Sequence, residues 1–353
     1  MGSELKDSSY KLAFYVAYPY YFPHFLPIFR EAEKRGWSTL FILSEKQNSS
    51  LMEKIAEDEK INYIFGDENI FEVETEYIFF GTPFQINSRI KAKRVFLCHG
   101  IGTKECGFEK ALERDDLVFV EGRYREEKYK REFPEYADKI KAVGYSKFDA
   151  LKNINREELL RELNLDINRR TVLYSPTFYP SSIENMSKKF PEDLKNYNLI
   201  IKPHYLTFER SRYKKQRKLL NIWSKYENIT IIGVEHQNLL PYLSVADLMI
   251  SDESSAVFEF ASLNKPVILN RFIKLRWSYL LNPKKLLNRI DSGMDRYREV
   301  ATTVDSYRDM LKTLNSIFSG DFKVNPSIDI ADVSGLIDGK VSERICNILE
   351  ESY

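Results

Sequence analysis

Residues 249–261 read MISDESSAVFEFA. An apolar run closes at Ser251, and Asp252, Glu253, Ser254 and Ser255 follow it. Ala256, Val257, Phe258, Phe260 and Ala261 then return at helical spacing. A short apolar run that opens into such a pattern through hydroxyl residues predicts a strand leading straight into a capped helix. Ser254 or Ser255 can cap that helix. Its unpaired N–H groups and positive dipole end form an anion site. Glu259 lies one turn in, where a carboxylate can accept hydrogen bonds from a ribose diol while the hydroxyls hold its phosphates. The same residues also suit a plain serine cap with no ligand.

Outward from this stretch the pattern repeats. Strands are expected at 171–174, 199–202, 229–232, 248–251 and 266–269, with helices over 182–196, 210–225, 239–245 and 254–263. Before them the residues predict strands at 12–17, 39–43, 61–65, 77–80, 94–98, 117–120 and 140–143, and a helix over 23–34 ended by Gly36. Strands that alternate with helices mean βαβ units and a mostly parallel sheet. The charged segment 147–169 interrupts the alternation and reads as the connection between two halves. The fold class expected is therefore α/β, with two doubly wound parallel-sheet domains facing across a cleft. They cover residues 1–150 and 151–330, and a tail with a last helix (342–350) fills 331–353.

The chain has 353 residues, enough for two such domains. Its hydrophobic content of 43% supports real cores. The net charge of +1 gives no broad field for nucleic acid, so attraction to phosphate has to come from local sites. Three cysteines, Cys98, Cys106 and Cys346, are too sparse and odd for a disulfide framework and fit a reducing cytosol. Cys98, His99 and Cys106 lack a fourth zinc ligand at regular spacing. The polar start and the lack of an 18-residue apolar run point to a cytoplasmic protein.

Ligands in open α/β sheets sit beyond the carboxyl ends of strands, so strand ends carry the candidate chemistry. His99 follows an apolar run and is followed by Gly100, Gly102 and Lys104. Such a histidine can take a proton from a hydroxyl nucleophile, and the glycines let backbone approach a ligand. Tyr174-Ser175-Pro176-Thr177 is a turn able to touch a phosphate oxygen. Lys202-Pro203-His204 puts two cationic or donating groups around a proline, and a charge-assisted bond to phosphate is about twice as strong as a neutral one. Gly144-Tyr145-Ser146-Lys147-Phe148-Asp149 suits a hinge or interface as well as a site.

In this order the segments resemble the CDP-glycerol glycerophosphotransferase family, the teichoic-acid primases and polymerases. His99-Gly100 with Lys104 matches its HG segment, residues 144–149 its GYPRxD segment, and 174–177 its YxPT segment. Residues 202–204 match KPH, and 252–255 with Lys265-Pro266-Val267 match DYSS followed by KPV. Ser146-Lys147 stands where the family has Pro-Arg, and Glu253 where it has Tyr. Lys keeps the charge but loses the planar fork of Arg. The resemblance implies a GT-B fold and transfer of an alditol phosphate, glycerol phosphate first among them, from a CDP-activated donor to a hydroxyl of a lipid-linked or glycan acceptor, releasing CMP.

His99 is then the base. His204, Ser254 and Ser255 meet the pyrophosphate charge, with Thr177, Lys202 and Asp252 beside them, and Glu259 holds the ribose. Gly100, Lys104, Lys147 and Asp149 are further candidates. No acidic metal cluster is evident, which leaves the use of a divalent metal open. Two other readings share the architecture. One is a UDP-sugar transferase or sugar-nucleotide epimerase, and the other is an inactive nucleotide-binding protein. Segments 210–225 and 271–289 combine basic and apolar residues and suit peripheral contact with an anionic membrane, although a charged helix packed by one apolar stripe is ordinary.

Overall fold

The computed structural model describes residues 8–46, 49–82, 90–102, 108–273, 299–321 and 329–351. They fall into two compact units. One holds the described residues up to Gly100, those from Phe108 to Lys152 and those from Ala331 on; the other holds Ile101, Gly102 and the described residues of Asn153–Ile330.

The first unit carries β1 (Ser9–Val16), β2 (Thr39–Leu43), β3 (Tyr63–Phe65), β4 (Glu74–Phe80), β5 (Lys93–Leu97), β6 (Leu117–Val120) and β7 (Ile140–Ala142). Their order is β3-β2-β1-β4-β5-β6-β7, all parallel. Central strands such as β2 are buried along their whole length, and apolar but for Thr39, because both faces are covered. Leu12, Phe14 and Val16 of β1 face Phe25, Ile28 and Phe29 of the helix Phe22–Lys34, together with Val341, Ile345 and Leu349 of the last helix, Val341–Glu351. Ala13 and Tyr15 point the other way, onto Leu40, Ile42, Ile78 and Phe80.

That last helix returns to the first unit and is tied there by polar bonds. The Tyr77 hydroxyl donates to the Leu349 carbonyl at 3.0 Å, and Arg35 bonds Asn347 at 2.7 Å. Asp149 accepts from the N–H groups of Val341 (3.1 Å) and Ser342 (2.7 Å), satisfying two orphan donors of the helix start.

The second unit carries β8 (Thr171–Ser175), β9 (Asn198–Ile201), β10 (Ile229–Ile231), β11 (Leu248–Ser251), β12 (Val267–Asn270) and β13 (Ala301–Val304). The order β10-β9-β8-β11-β12-β13 is again fully parallel. The α/β reading with two doubly wound parallel sheets is thus what the chain adopts.

One expectation needs correction. No continuous helix fills 182–196; Ile183–Asn185 and Phe190–Asp193 form two short turns instead. Pro191 restarts the chain there. The Trp223 indole takes the Ser187 carbonyl, while Asn228 takes those of Pro191, Leu194 and Tyr197. β13 and the helix Tyr307–Ser319 were not foreseen, since the sequence ATTV carries little apolar signal. In segment 210–225 the helix is Lys214–Trp223, and its apolar Leu219, Leu220 and Trp223 are buried in the core of the unit. That is the ordinary packed-stripe outcome. The membrane candidate over 271–289 lies almost wholly outside the described residues, as does Lys104. No helix among the described residues is long and apolar enough to cross a membrane.

Candidate active site

Doubly wound sheets bind ligands where the strand order reverses. In the first unit that point lies between β1 and β4, and His99 follows β5 beside it. The His99 ring bonds through Nδ1 to the Gly81 carbonyl, just past β4, at 2.5 Å. A carbonyl only accepts, so Nδ1 carries the hydrogen. In the neutral ring Nε2 then holds the lone pair, the form a general base needs.

The ring is framed by Tyr21 at 5.1 Å, Tyr20 at 5.8 Å and His24 at 6.4 Å between centroids. The Tyr145 hydroxyl donates to the His99 carbonyl at 3.2 Å, and the Ser146 hydroxyl to that of His24 at 2.8 Å. The 144–149 segment therefore braces this end of the unit. Asp149 spends both carboxylate oxygens on the last helix and caps it. Lys147 is buried. Gly100 borders open space, since a Cβ there would meet nothing within 4 Å. Burial, with the Glu121 carboxylate adding to it, pushes the Cys98 thiol well above its ordinary range. Its proton goes to the Gly100 carbonyl; Cys106 lies outside the described residues.

His24 was not singled out in the sequence, where it is one polar residue in the apolar first half of the helix Phe22–Lys34. Burial, then the charge of Lys147 and the neighbouring His99, hold its pKa well below 6.5. The unfolded chain therefore binds a proton below pH 6.5 that the folded chain refuses, so this group's contribution to stability falls as pH drops. We expect wild type to lose about 1.4 kcal/mol per pH unit relative to His24→Phe below that point. Denaturation curves of both proteins between pH 5 and 8 would show it; parallel stabilities across that range would refute it.

In the second unit the reversal lies between β8 and β11. β8 runs out into Pro176 and Thr177, and β11 into Asp252 and the helix Ser255–Ala261. Asp252 is fully buried, and its carboxylate accepts from the N–H groups of Thr177 (3.1 Å) and Ser182 (3.1 Å). Desolvation raises its pKa to about 6 against the opposing pull of those bonds. It clamps two strand-end loops together through backbone N–H groups. The Thr177 hydroxyl likewise gives its proton to the Pro180 carbonyl.

Ser254 holds the cap position without capping, because its hydroxyl leans to Ser251 at 3.3 Å. Ser251 in turn donates to the Ser175 carbonyl at 2.7 Å. Ser255 is half-buried, and Glu259, one turn on along the same helix face, is buried. Lys202 is buried just past the end of β9. Two residues on, His204 accepts a hydrogen bond at Nδ1 from the Leu206 N–H at 3.2 Å. That leaves the hydrogen on Nε2 of the neutral ring, the reverse of His99, so His204 presents a donor. Its ring rests on Phe178 (4.7 Å) and Tyr205 (4.9 Å). No group of three or more His, Cys, Asp or Glu suited to a metal occurs among the described residues.

Comparison with known proteins follows the same lines. The chain is 27% identical over 161 residues to the teichoic acid glycerol-phosphate primase of Bacillus subtilis, covering 46% of this chain and 41% of that protein. It thus spans about two-fifths of that relative's length. Among solved structures it is similar to the wall teichoic acid polymerase TagF, with a TM-score of 0.71 at 16% identity over 100% of this chain and 91% of that one. UDP-GlcNAc 2-epimerase from Neisseria meningitidis also matches, with a TM-score of 0.62 at 13% identity over 96% and 99% of the two chains. At such identities both likenesses speak for the GT-B-like fold. The model of the CDP-Glycerol:Poly(glycerophosphate) glycerophosphotransferase family covers residues 73–272, more than half of the sequence, and the chain belongs to that family.

Proposed function

We propose that the protein transfers glycerol phosphate from CDP-glycerol to a hydroxyl acceptor, releasing CMP, in the assembly of a teichoic acid or related cell-surface polymer. The observation that carries this reading is the opposite tautomers of the two strand-end histidines. Transfer to a hydroxyl needs one group that takes a proton and another that donates to phosphoryl oxygen. His99 Nε2 takes the acceptor proton as its oxygen attacks the phosphorus bearing glycerol, and the bond from that phosphorus to the CMP oxygen breaks. His204 Nε2–H donates to the phosphoryl oxygens as negative charge grows on the departing CMP. Lys202 supplies countercharge, Ser255 a hydroxyl, and Glu259 accepts from the ribose. Membership of the family supports the same assignment. The acceptor in this reading is lipid-linked or a glycan, which brings the protein to the inner face of a membrane.

The test is nucleotide release from CDP-glycerol, CDP-ribitol and UDP-sugars offered in parallel with a hydroxyl acceptor. Acceptor-dependent CMP from CDP-glycerol is the expected result. Turnover of UDP-sugars alone would replace the proposal with a sugar transferase or epimerase.

A further inference from the structure

The loop after β1 contributes three tyrosines to the end of the sheet that carries His99. The rings of Tyr18 and Tyr20 stack at 5.2 Å with only 10° between their planes. Both are partly exposed. Tyr20 lies 5.8 Å from His99, and Tyr21, buried beneath, meets Tyr20 edge-on at 4.9 Å. Gly81 ties this cluster to the base. A Cβ there would come within 3.0 Å of the Tyr21 ring, while the Gly81 carbonyl receives the His99 Nδ1–H. One backbone position thus seats both the aromatic stack and the imidazole.

A pair of stacked, partly exposed rings next to a base suits one kind of hydroxyl compound better than others. Aromatic faces carry partial negative charge, and they attract flat surfaces of weakly positive C–H groups. The axial C–H face of a pyranose is such a surface. A glycerol phosphate chain has no flat face and carries a negative charge on each unit, which ring faces repel. The cation that acts on His24 at this end, Lys147, is buried, so it offers such a chain little.

We infer that Tyr18 and Tyr20 form a platform on which the protein stacks a pyranose ring of its acceptor, with a sugar hydroxyl presented to His99. This deepens the proposed transfer and rests on it for the role of that hydroxyl. Tyr18 and Tyr20 are binding groups here, and His99 remains the group that moves the proton.

The experiment is saturation-transfer NMR on the full chain without nucleotide, using methyl β-glucopyranoside, methyl β-N-acetylglucosaminide and glycerol 3-phosphate as probes. Saturation is expected on the ring C–H protons of the pyranosides. Affinity should fall on the order of tenfold in Tyr18→Ala and in Tyr20→Ala and persist in the phenylalanine variants, which keep the ring faces. Tyr18→Leu and Tyr20→Leu, which keep bulk without a ring, serve if the alanine variants do not fold. Absence of pyranoside binding, binding untouched by loss of the rings, loss of binding in the phenylalanine variants, or preference for glycerol 3-phosphate would each overturn the platform. CMP release from CDP-glycerol is recorded separately, so failure of the transfer reading leaves a different signature from failure of the sugar platform.

Discussion

His99→Ala is expected to lower acceptor-dependent CMP release by about 10²–10⁴-fold, the usual worth of a positioned general base. Affinity for CDP-glycerol should stay within about twofold, because the residue acts on the acceptor proton and not on the donor. The expectation follows from geometry. The Gly81 carbonyl holds the hydrogen on Nδ1, so the lone pair sits on Nε2. Gln at this position keeps bulk and a hydrogen bond but offers no basic nitrogen, and it should not restore turnover. Release rates and donor binding measured side by side check the claim. Turnover of His99→Ala within tenfold of wild type would remove the residue from the base role.

Gly335→Ala is expected to destabilise the first unit by about 2–5 kcal/mol, the sum of a left-handed backbone penalty and overpacking. Gly335 has a φ of +73°. A Cβ there would lie 2.5 Å from the Glu121 carbonyl oxygen and 2.7 Å from the Gly144 Cα, both backbone atoms that cannot swing aside. The returning chain packs at the ends of β6 and β7 through this contact, and the 144–149 segment behind it holds the His99 carbonyl. Denaturation midpoints would show the loss, and activity should fall with it. A variant as stable as wild type would mean the close approach of residue 335 is not kept in solution.

The architecture was legible because its signals are local. Runs such as 39–43 and 171–174, apolar but for a leading threonine and too short for an ordinary helix, are buried on both faces. β13 escaped because ATTV at a sheet edge buries only its two outer residues. In place of the 182–196 helix, side chains distant in sequence, Trp223 and Asn228, take the Ser187, Pro191 and Leu194 carbonyls.

The candidate site was legible by position and less so by role. His99 and His204 stand just beyond strand ends, Ser255 begins the helix that follows β11, and Glu259 lies one turn into it, in the way the pattern implies. Asp149 and Asp252 were named as candidate ligand groups from their place in motifs, yet each satisfies backbone N–H groups from another part of the chain. Only tertiary structure reveals such partners. His24 carries no sequence signal of its own, since its neutrality comes from burial and from Lys147 far along the chain.

The central claim is that glycerol and its phosphate move together. It is tested most directly by CDP-glycerol labelled with ¹⁴C in the glycerol and ³²P in the phosphate bonded to it, followed into acceptor product and released nucleotide. The account predicts that both labels reach the product in equal amounts, with one unlabelled CMP released per transfer. Glycerol arriving without its phosphorus, with labelled CDP released, would contradict it and show carbon–oxygen cleavage of the sugar-transferase kind.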